Sequence, residues 1–163
     1  MFVNYIEINF APLAGLLFLL IFLFSNKGMD TEIRHTFLLL WFLEVVELFV
    51  YSAELWTASF AEPTVWRILL SAIGYGIRPL LVFCILRLNM HTRISGRRLL
   101  VLAIPAILNI FAAFSAFFTD IVYSYNTDNE FVRGPLAYVP HFVLLFYLVC
   151  ILVVSMKREG ENY

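Results

Sequence analysis

Long apolar runs separated by short polar segments dominate the chain. Asp, Glu, Lys and Arg are all missing from Ile8 to Asn26, from Leu99 to Thr119 and from Gly134 to Met156. A helix crosses the roughly 30 Å hydrocarbon core of a bilayer with about 20 apolar residues. The pattern predicts an all-α integral membrane protein, a single transmembrane region over 1–163 with a bundle of five spans at about 7–26, 36–56, 65–86, 99–118 and 136–156.

Composition excludes a soluble domain. Hydrophobic residues make up 62% of the chain and charged residues 14%, well below the roughly 25% usual in soluble domains. The net charge of −1 gives no reason to expect a nucleic-acid partner. Cys84 and Cys150 lie far apart inside apolar runs, where we expect reduced packing residues. No Cys or His pattern predicts a metal, and no cofactor is expected.

The distribution of Lys and Arg predicts the orientation. Two are expected on one side of the membrane, at positions 67 and 133, and eight on the other, at positions 27, 34, 87, 93, 97, 98, 157 and 158. Cytoplasmic loops carry the excess of these residues. The predicted topology therefore has the N-terminus outside and the C-terminus in the cytoplasm.

The longest segment outside the predicted spans runs from Thr119 to Tyr138. An Asn/Asp turn at 126–129 separates two aromatic and β-branched runs, which predicts a small outer hairpin between the fourth and fifth helices. The hairpin is either a lid over an extracytoplasmic ligand site or an ordered connector. The candidate ligand or lid residues are Asp120, Tyr123, Tyr125, Asp128, Glu130, Arg133 and His141.

Three charged residues lie near the middle of spans two and three. Charges at this depth are costly and usually find a partner inside the bundle. Counting residues inward favours a pair between Glu44 and Arg78, with Glu47 as the second choice. The group is either a structural ion pair, which we favour, or a proton- or ligand-linked site.

The third span also carries Gly74, Gly76 and Pro79. Proline removes a backbone donor and is expected to kink the helix, while glycines permit close helix contact. This helix is either the moving part of a switch or a bent packing element. Asn109 and Ser71 are expected to form hydrogen bonds between helices.

No catalytic motif occurs: HExxH, GxSxG and a phosphate-binding glycine loop are all missing, so we expect no catalytic residues and no enzyme activity within these residues.

Three stretches, at 72–81, 118–124 and 131–138, carry a family resemblance in their order, spacing and predicted orientation. The first is a glycine-bearing helix that reaches Pro79, and the last contains Gly134-Pro135 before the fifth helix. The chain resembles the N-terminal seven-helix membrane sensor of many bacterial histidine kinases and diguanylate cyclases. The resemblance implies two further spans and a cytoplasmic output domain. This sequence has five spans and no GGDEF or kinase motif, so we expect either the front part of a longer protein or a natural truncation.

The resulting hypothesis is a sensory input module that responds to an extracytoplasmic or membrane stimulus. Its expected partners are the lipid bilayer, an unknown small-molecule or envelope ligand, a cytoplasmic output domain (a cyclic-di-GMP synthase or a histidine kinase) and, as an open option, a second copy in a homodimer. The alternatives are a small transporter or channel subunit and a structural partner of another membrane protein.

Overall fold

The computed structural model describes residues 2–90 and 96–160, and the side chains of residues 10–90 and 96–157. Helices form most of it. The elements in chain order are α1 (Phe2–Ser25), α2 (Thr31–Ala58), α3 (Val65–Asn89), α4 (Gly96–Phe114), a 3₁₀ turn (Ser115–Phe117), β1 (Tyr123–Tyr125), β2 (Phe131–Arg133) and α5 (Val139–Gly160).

Four helices are long and apolar enough to cross a membrane: α2, α3, α4 with its 3₁₀ turn, and α5. Helix α1 is 24 residues long and contributes an apolar stretch from Phe10 to Ser25. The expectation of a mostly helical chain is confirmed, with four to five apolar helices long enough to span a membrane among the described residues. The side of the membrane on which each loop lies stays a prediction, and Arg93 and the side chain of Arg158 fall outside the described residues.

Local sequence sets the helix starts. The Asp30 carboxylate accepts the backbone N–H groups of Glu32 (2.8 Å) and Ile33 (3.4 Å), and Thr64 Oγ1 accepts that of Arg67 (3.3 Å). Such N-caps satisfy donors that have no partner within the first turn of a helix. They fix where α2 and α3 begin.

Helix α3 lies at the centre of the bundle and packs against α2, α4 and α5, whereas α1 packs against α2.

A core cluster and a tyrosine hydroxyl hold α4 against its neighbours in the half of the bundle that lies away from the hairpin. Leu86 of α3, Ala106 of α4 and Tyr147 of α5 form a fully buried core cluster. The Tyr147 hydroxyl donates to Leu102 O (2.9 Å) and accepts from Ala106 N (3.1 Å), so it bridges two backbone groups beside Pro105. A movement of α3 would therefore change its packing against α2, α4 and α5.

Asn109 of α4 compensates for Pro79 of α3. A proline has no N–H, so the carbonyl four residues earlier, that of Tyr75, loses its helical partner. The Asn109 amide donates to this carbonyl (2.8 Å), and Asn109 is 1% exposed. The helix continues through Pro79. The expected interhelical bond of Asn109 is confirmed, and the expected kink stays a prediction.

This arrangement predicts that the cost of removing Asn109 depends on Pro79. Asn109→Ala should lower the free energy of unfolding by about 1–3 kcal/mol, because it leaves a buried carbonyl without a partner. In a Pro79→Ala background the helix supplies its own N–H, and the same change should cost much less. Chemical unfolding in detergent micelles measures both values. Equal costs in the two backgrounds would contradict the compensation.

The predicted hairpin is confirmed. Strands β1 and β2 pair antiparallel, with Tyr123 opposite Arg133 and Tyr125 opposite Phe131. Asn129 adopts a positive φ of 59°, a left-handed conformation that asparagine tolerates better than most residues. We call the helix ends beside this hairpin the hairpin end of the bundle.

Candidate functional site

A partly buried polar relay joins the hairpin to α2 and α3. Ser71 Oγ donates to Glu54 Oε1 at 2.6 Å and lies 2.6 Å from the Tyr125 hydroxyl. A serine hydroxyl has one proton, so with that proton on the Glu54 bond the tyrosine must be the donor to Ser71. The order Tyr125 → Ser71 → Glu54 thus connects strand, central helix and second helix through three side chains.

Arg67 reinforces this contact from the first turn of α3. It is 8% exposed, and its guanidinium lies over the Tyr125 ring with its central carbon 4.3 Å from the ring centroid. One terminal nitrogen also donates to the carbonyl of Asn129. A desolvated cation over an aromatic face stabilises a contact by about 2 kcal/mol.

Asn129 connects the hairpin turn to the other side of the site. Its amide nitrogen donates to the carbonyls of Thr57 (3.1 Å) and Phe60 (2.9 Å), where α2 ends, and the residue is 4% exposed. The last carbonyls of a helix have no intrahelical partner. The hairpin turn therefore completes the hydrogen bonding at the end of α2.

An aromatic cluster lies beneath these polar contacts. The Tyr123 ring is 5.2 Å from that of Tyr75 on α3 and 5.5 Å from that of Phe131, centroid to centroid. The Tyr123 hydroxyl donates to Ile68 O (3.0 Å). Burial raises the pKa of both Tyr123 and Tyr125 above the ordinary tyrosine value, so both stay neutral hydrogen-bond donors at physiological pH.

We refer to Glu54, Arg67, Ser71, Tyr125 and Asn129 as the hairpin anchor. Through it the segment between α4 and α5 contacts helices α2 and α3, which lie far from it in sequence. A connector needs only to join α4 to α5. The anchor gives the hairpin additional contacts with α2 and α3.

The structure does not bring the seven predicted ligand or lid residues together at one site. Tyr123 and Tyr125 belong to the buried contact. Arg133 lies near the Tyr138 ring at 5.9 Å, and the His141 ring lies 6.0 Å from that ring, in a more exposed group at the start of α5. The remaining three, Asp120, Asp128 and Glu130, are exposed, and Glu130 accepts from Asn126 Nδ2 at 2.9 Å.

The charged pair in the middle of the helices differs from the favoured one. Arg78 Nε donates to Glu47 Oε1 at 2.9 Å, so the partner is Glu47 and the choice of Glu44 is wrong. Helical side chains lean toward the N-terminus of their own helix. Because α2 and α3 are antiparallel, Arg78 leans toward the hairpin end, whereas Glu44 and Glu47 both lean away from it. Glu47 lies about one turn nearer the hairpin end than Glu44, so its carboxylate reaches the depth of the Arg78 guanidinium.

The two glycines of α3 differ in how closely a neighbouring helix approaches them. A methyl group at Gly76 would lie 3.3 Å from Ile110 of α4, which is tighter than an ordinary van der Waals contact. A methyl group at Gly74 would lie 3.7 Å from Glu47 Oε2, which is an ordinary contact. The expected close helix contact is therefore present at Gly76 and not at Gly74.

Sequence reasoning missed the anchor residues on the helices. In the sequence, Arg67 is a charge beside a span that contributes to the predicted orientation, and Glu54 is an acidic residue near the end of the second span. Asn129 was one residue of a turn. Ser71 alone was expected to bond between helices. One signal in the sequence could have found them. Tyrosines that pack inside a protein need hydrogen-bond partners for their hydroxyl groups, and polar residues at the nearby helix ends can supply those partners.

In the described part of the chain, no three His, Cys, Asp or Glu side chains converge in a way that suits a metal ion. Neither a protein-family model, nor a curated protein, nor a solved structure matches the chain. Membership of the seven-helix sensor family therefore stays a prediction that depends on the three stretches named above.

Proposed function

We propose that the chain is the membrane-embedded input module of a signalling protein, in which attachment of the hairpin controls the packing of α3. A stimulus at the hairpin end would bind the attached and released states unequally, which is the condition for any ligand to shift a conformational equilibrium. The output would be a cytoplasmic domain, and the membrane the bacterial cytoplasmic membrane.

The observation that carries the proposal is the hairpin anchor itself. Its contacts act on α3 at one end, and α3 packs against α2, α4 and α5 over its length. A rigid helix with several packed neighbours is the kind of element through which two distant sites can be coupled. The far half of α3, with Leu86 in the buried core cluster, would then report the state of the hairpin.

The native Cys84 offers a test, because it is a buried free thiol in the far half of α3. It lies about 28 Å along the helix from Val65. In a Cys150→Ala background, Ser71→Ala with Asn129→Gly should release the hairpin, and a maleimide should then label Cys84 several times faster. Glycine at 129 keeps the positive φ accessible, so the change removes the amide contacts without forcing the turn into another conformation.

Asp128→Gly is the matched control, since it adds the same backbone freedom at an exposed neighbouring position. It should leave the labelling rate of Cys84 unchanged. Faster labelling in both variants would mean general destabilisation, and no change in either would remove the support for coupling through α3.

A small transporter or channel subunit is the alternative, and one observation favours it. The Arg78 side chain, in the middle of α3, has 46% of its surface uncovered by the chain although it is paired with Glu47. A transport role predicts substrate or ion flux through proteoliposomes that Arg78→Ala abolishes, whereas an input module predicts no flux in either protein.

A further inference from the structure

A pocket of about 160 Å³ lies at the end of the bundle opposite the hairpin, where α1 turns into α2. Its lining residues are Leu23, Phe24, Lys27, Arg34 and Leu38. Two are cations and three are apolar. That volume holds about five water-sized groups.

The two cations are free of carboxylate partners in the described part of the chain. The nearest acidic groups are engaged elsewhere: Asp30 caps α2, and Glu32 lies 3.7 Å from Arg87. Arg34 is positioned by the end of α1, since one terminal nitrogen donates to the carbonyls of Asn26 (2.9 Å) and Lys27 (3.4 Å). Its Nε is buried and has no partner among the described residues.

The apolar lining continues from the cations into the predicted span. Leu23 is buried, Phe24 is 74% exposed, and Leu38 lies one turn beyond Arg34 along α2. The pocket therefore has a charged mouth at the expected level of the headgroups and an apolar wall open to the expected position of the acyl chains. A soluble anion would use only the mouth, whereas an anionic phospholipid would use both.

We propose that this pocket binds a phosphate group, supplied by the headgroup of an anionic phospholipid. The second terminal nitrogen of Arg34, which does not bond the carbonyls at the end of α1, can donate to a phosphate oxygen, and Lys27 supplies a second positive charge. The acyl chain lies along Leu23, Phe24 and Leu38. The predicted cytoplasmic orientation of this end agrees with the location of basic lipid-binding pockets in membrane proteins. The proposal does not depend on a signalling role.

The test is the thermal shift of the purified chain in detergent, titrated with dioleoylphosphatidylglycerol, dioleoylphosphatidylcholine or inorganic phosphate. Phosphatidylglycerol should raise Tm saturably and at lower concentration than phosphatidylcholine. Lys27→Gln should weaken the apparent affinity for phosphatidylglycerol about fivefold, the effect of one cation near the headgroups. Leu38→Trp keeps both charges, fills the pocket and should remove most of the shift.

Arg97→Gln is the matched control, because Arg97 is an exposed cation at the same end of the bundle, outside the pocket. It should bind phosphatidylglycerol as the unmodified chain does. A shift with inorganic phosphate alone would make free phosphate the ligand and overturn the lipid assignment. Equal shifts with both lipids, or an equal loss in Arg97→Gln and Lys27→Gln, would show general surface attraction and overturn the site.

Discussion

Replacing Gly134 by alanine is expected to prevent the hairpin from closing. Its N–H donates to Val122 O at 3.0 Å, and an added methyl group would overlap the backbone carbonyl oxygens of Asp120 and Ile121. Both carbonyls belong to the backbone, so the overlap cannot be relieved by a change of side-chain rotamer and the backbone itself must move. Overpacking of this kind costs about 1–3 kcal/mol or more. Chemical unfolding in micelles and the yield of folded protein measure the effect.

Gly15→Ala is the control for this change. No atom lies within 4 Å of a methyl group placed at Gly15, which is in the interior of α1. Alanine is favoured over glycine in a helix interior by up to about 1 kcal/mol, so this variant should be as stable as the unmodified chain or more so. Equal behaviour of the two variants would show that the close contact at Gly134 does not constrain the hairpin.

Arg78→Ala is the second change with a large expected effect. It leaves Glu47 with Oε1 unpaired, while Oε2 already has no partner among the described residues. The Glu47 side chain is 18% exposed and that of Arg78 is 46% exposed, so the pair is partly buried. Leaving the Glu47 carboxylate without its partner should cost about 1–3 kcal/mol, part of which protonation of the carboxylate would offset. We expect a marked loss of Tm and of folded yield in micelles.

The charge exchange Glu47→Arg with Arg78→Glu should recover part of this loss, because it restores opposite charges at the same depth. Glu44→Gln should have little effect, since Arg78 is paired with Glu47 in the structure. A large loss of Tm in Glu44→Gln, together with an unchanged Tm in Glu47→Gln, would show that Glu44 is the partner of Arg78, as residue counting favours.

Much of the fold could be predicted because each feature depends on local sequence. The apolar runs predict the spans, the Asn/Asp turn at 126–129 predicts the hairpin, and a lone asparagine in a span, Asn109, predicts a hydrogen bond between helices. The partner of Arg78 was missed for a physical reason. Residue counting compares the depths of Cα atoms, whereas a long side chain reaches about one turn toward its own N-terminus.

The hairpin anchor could not be predicted in the same way. It joins Tyr125 and Asn129 to residues 54 to 72 positions earlier in the chain, at Ser71, Arg67 and Thr57. No periodicity in the sequence encodes which face of a hairpin meets which helix end. Only the packing of α4 and α5 against α3 brings these groups together.

The distance between the far ends of α3 and α5 tests the central claim most directly. Spin labels at Asn89 and Lys157, in a Cys84→Ala, Cys150→Ala background, report it in pulsed electron paramagnetic resonance. Amide hydrogen exchange over 122–133 verifies that Ser71→Ala with Asn129→Gly has released the hairpin. With release verified, we predict a displaced distance distribution, and an unchanged distribution in Asp128→Gly. A released hairpin with an unchanged distance would contradict control of α3 by hairpin attachment.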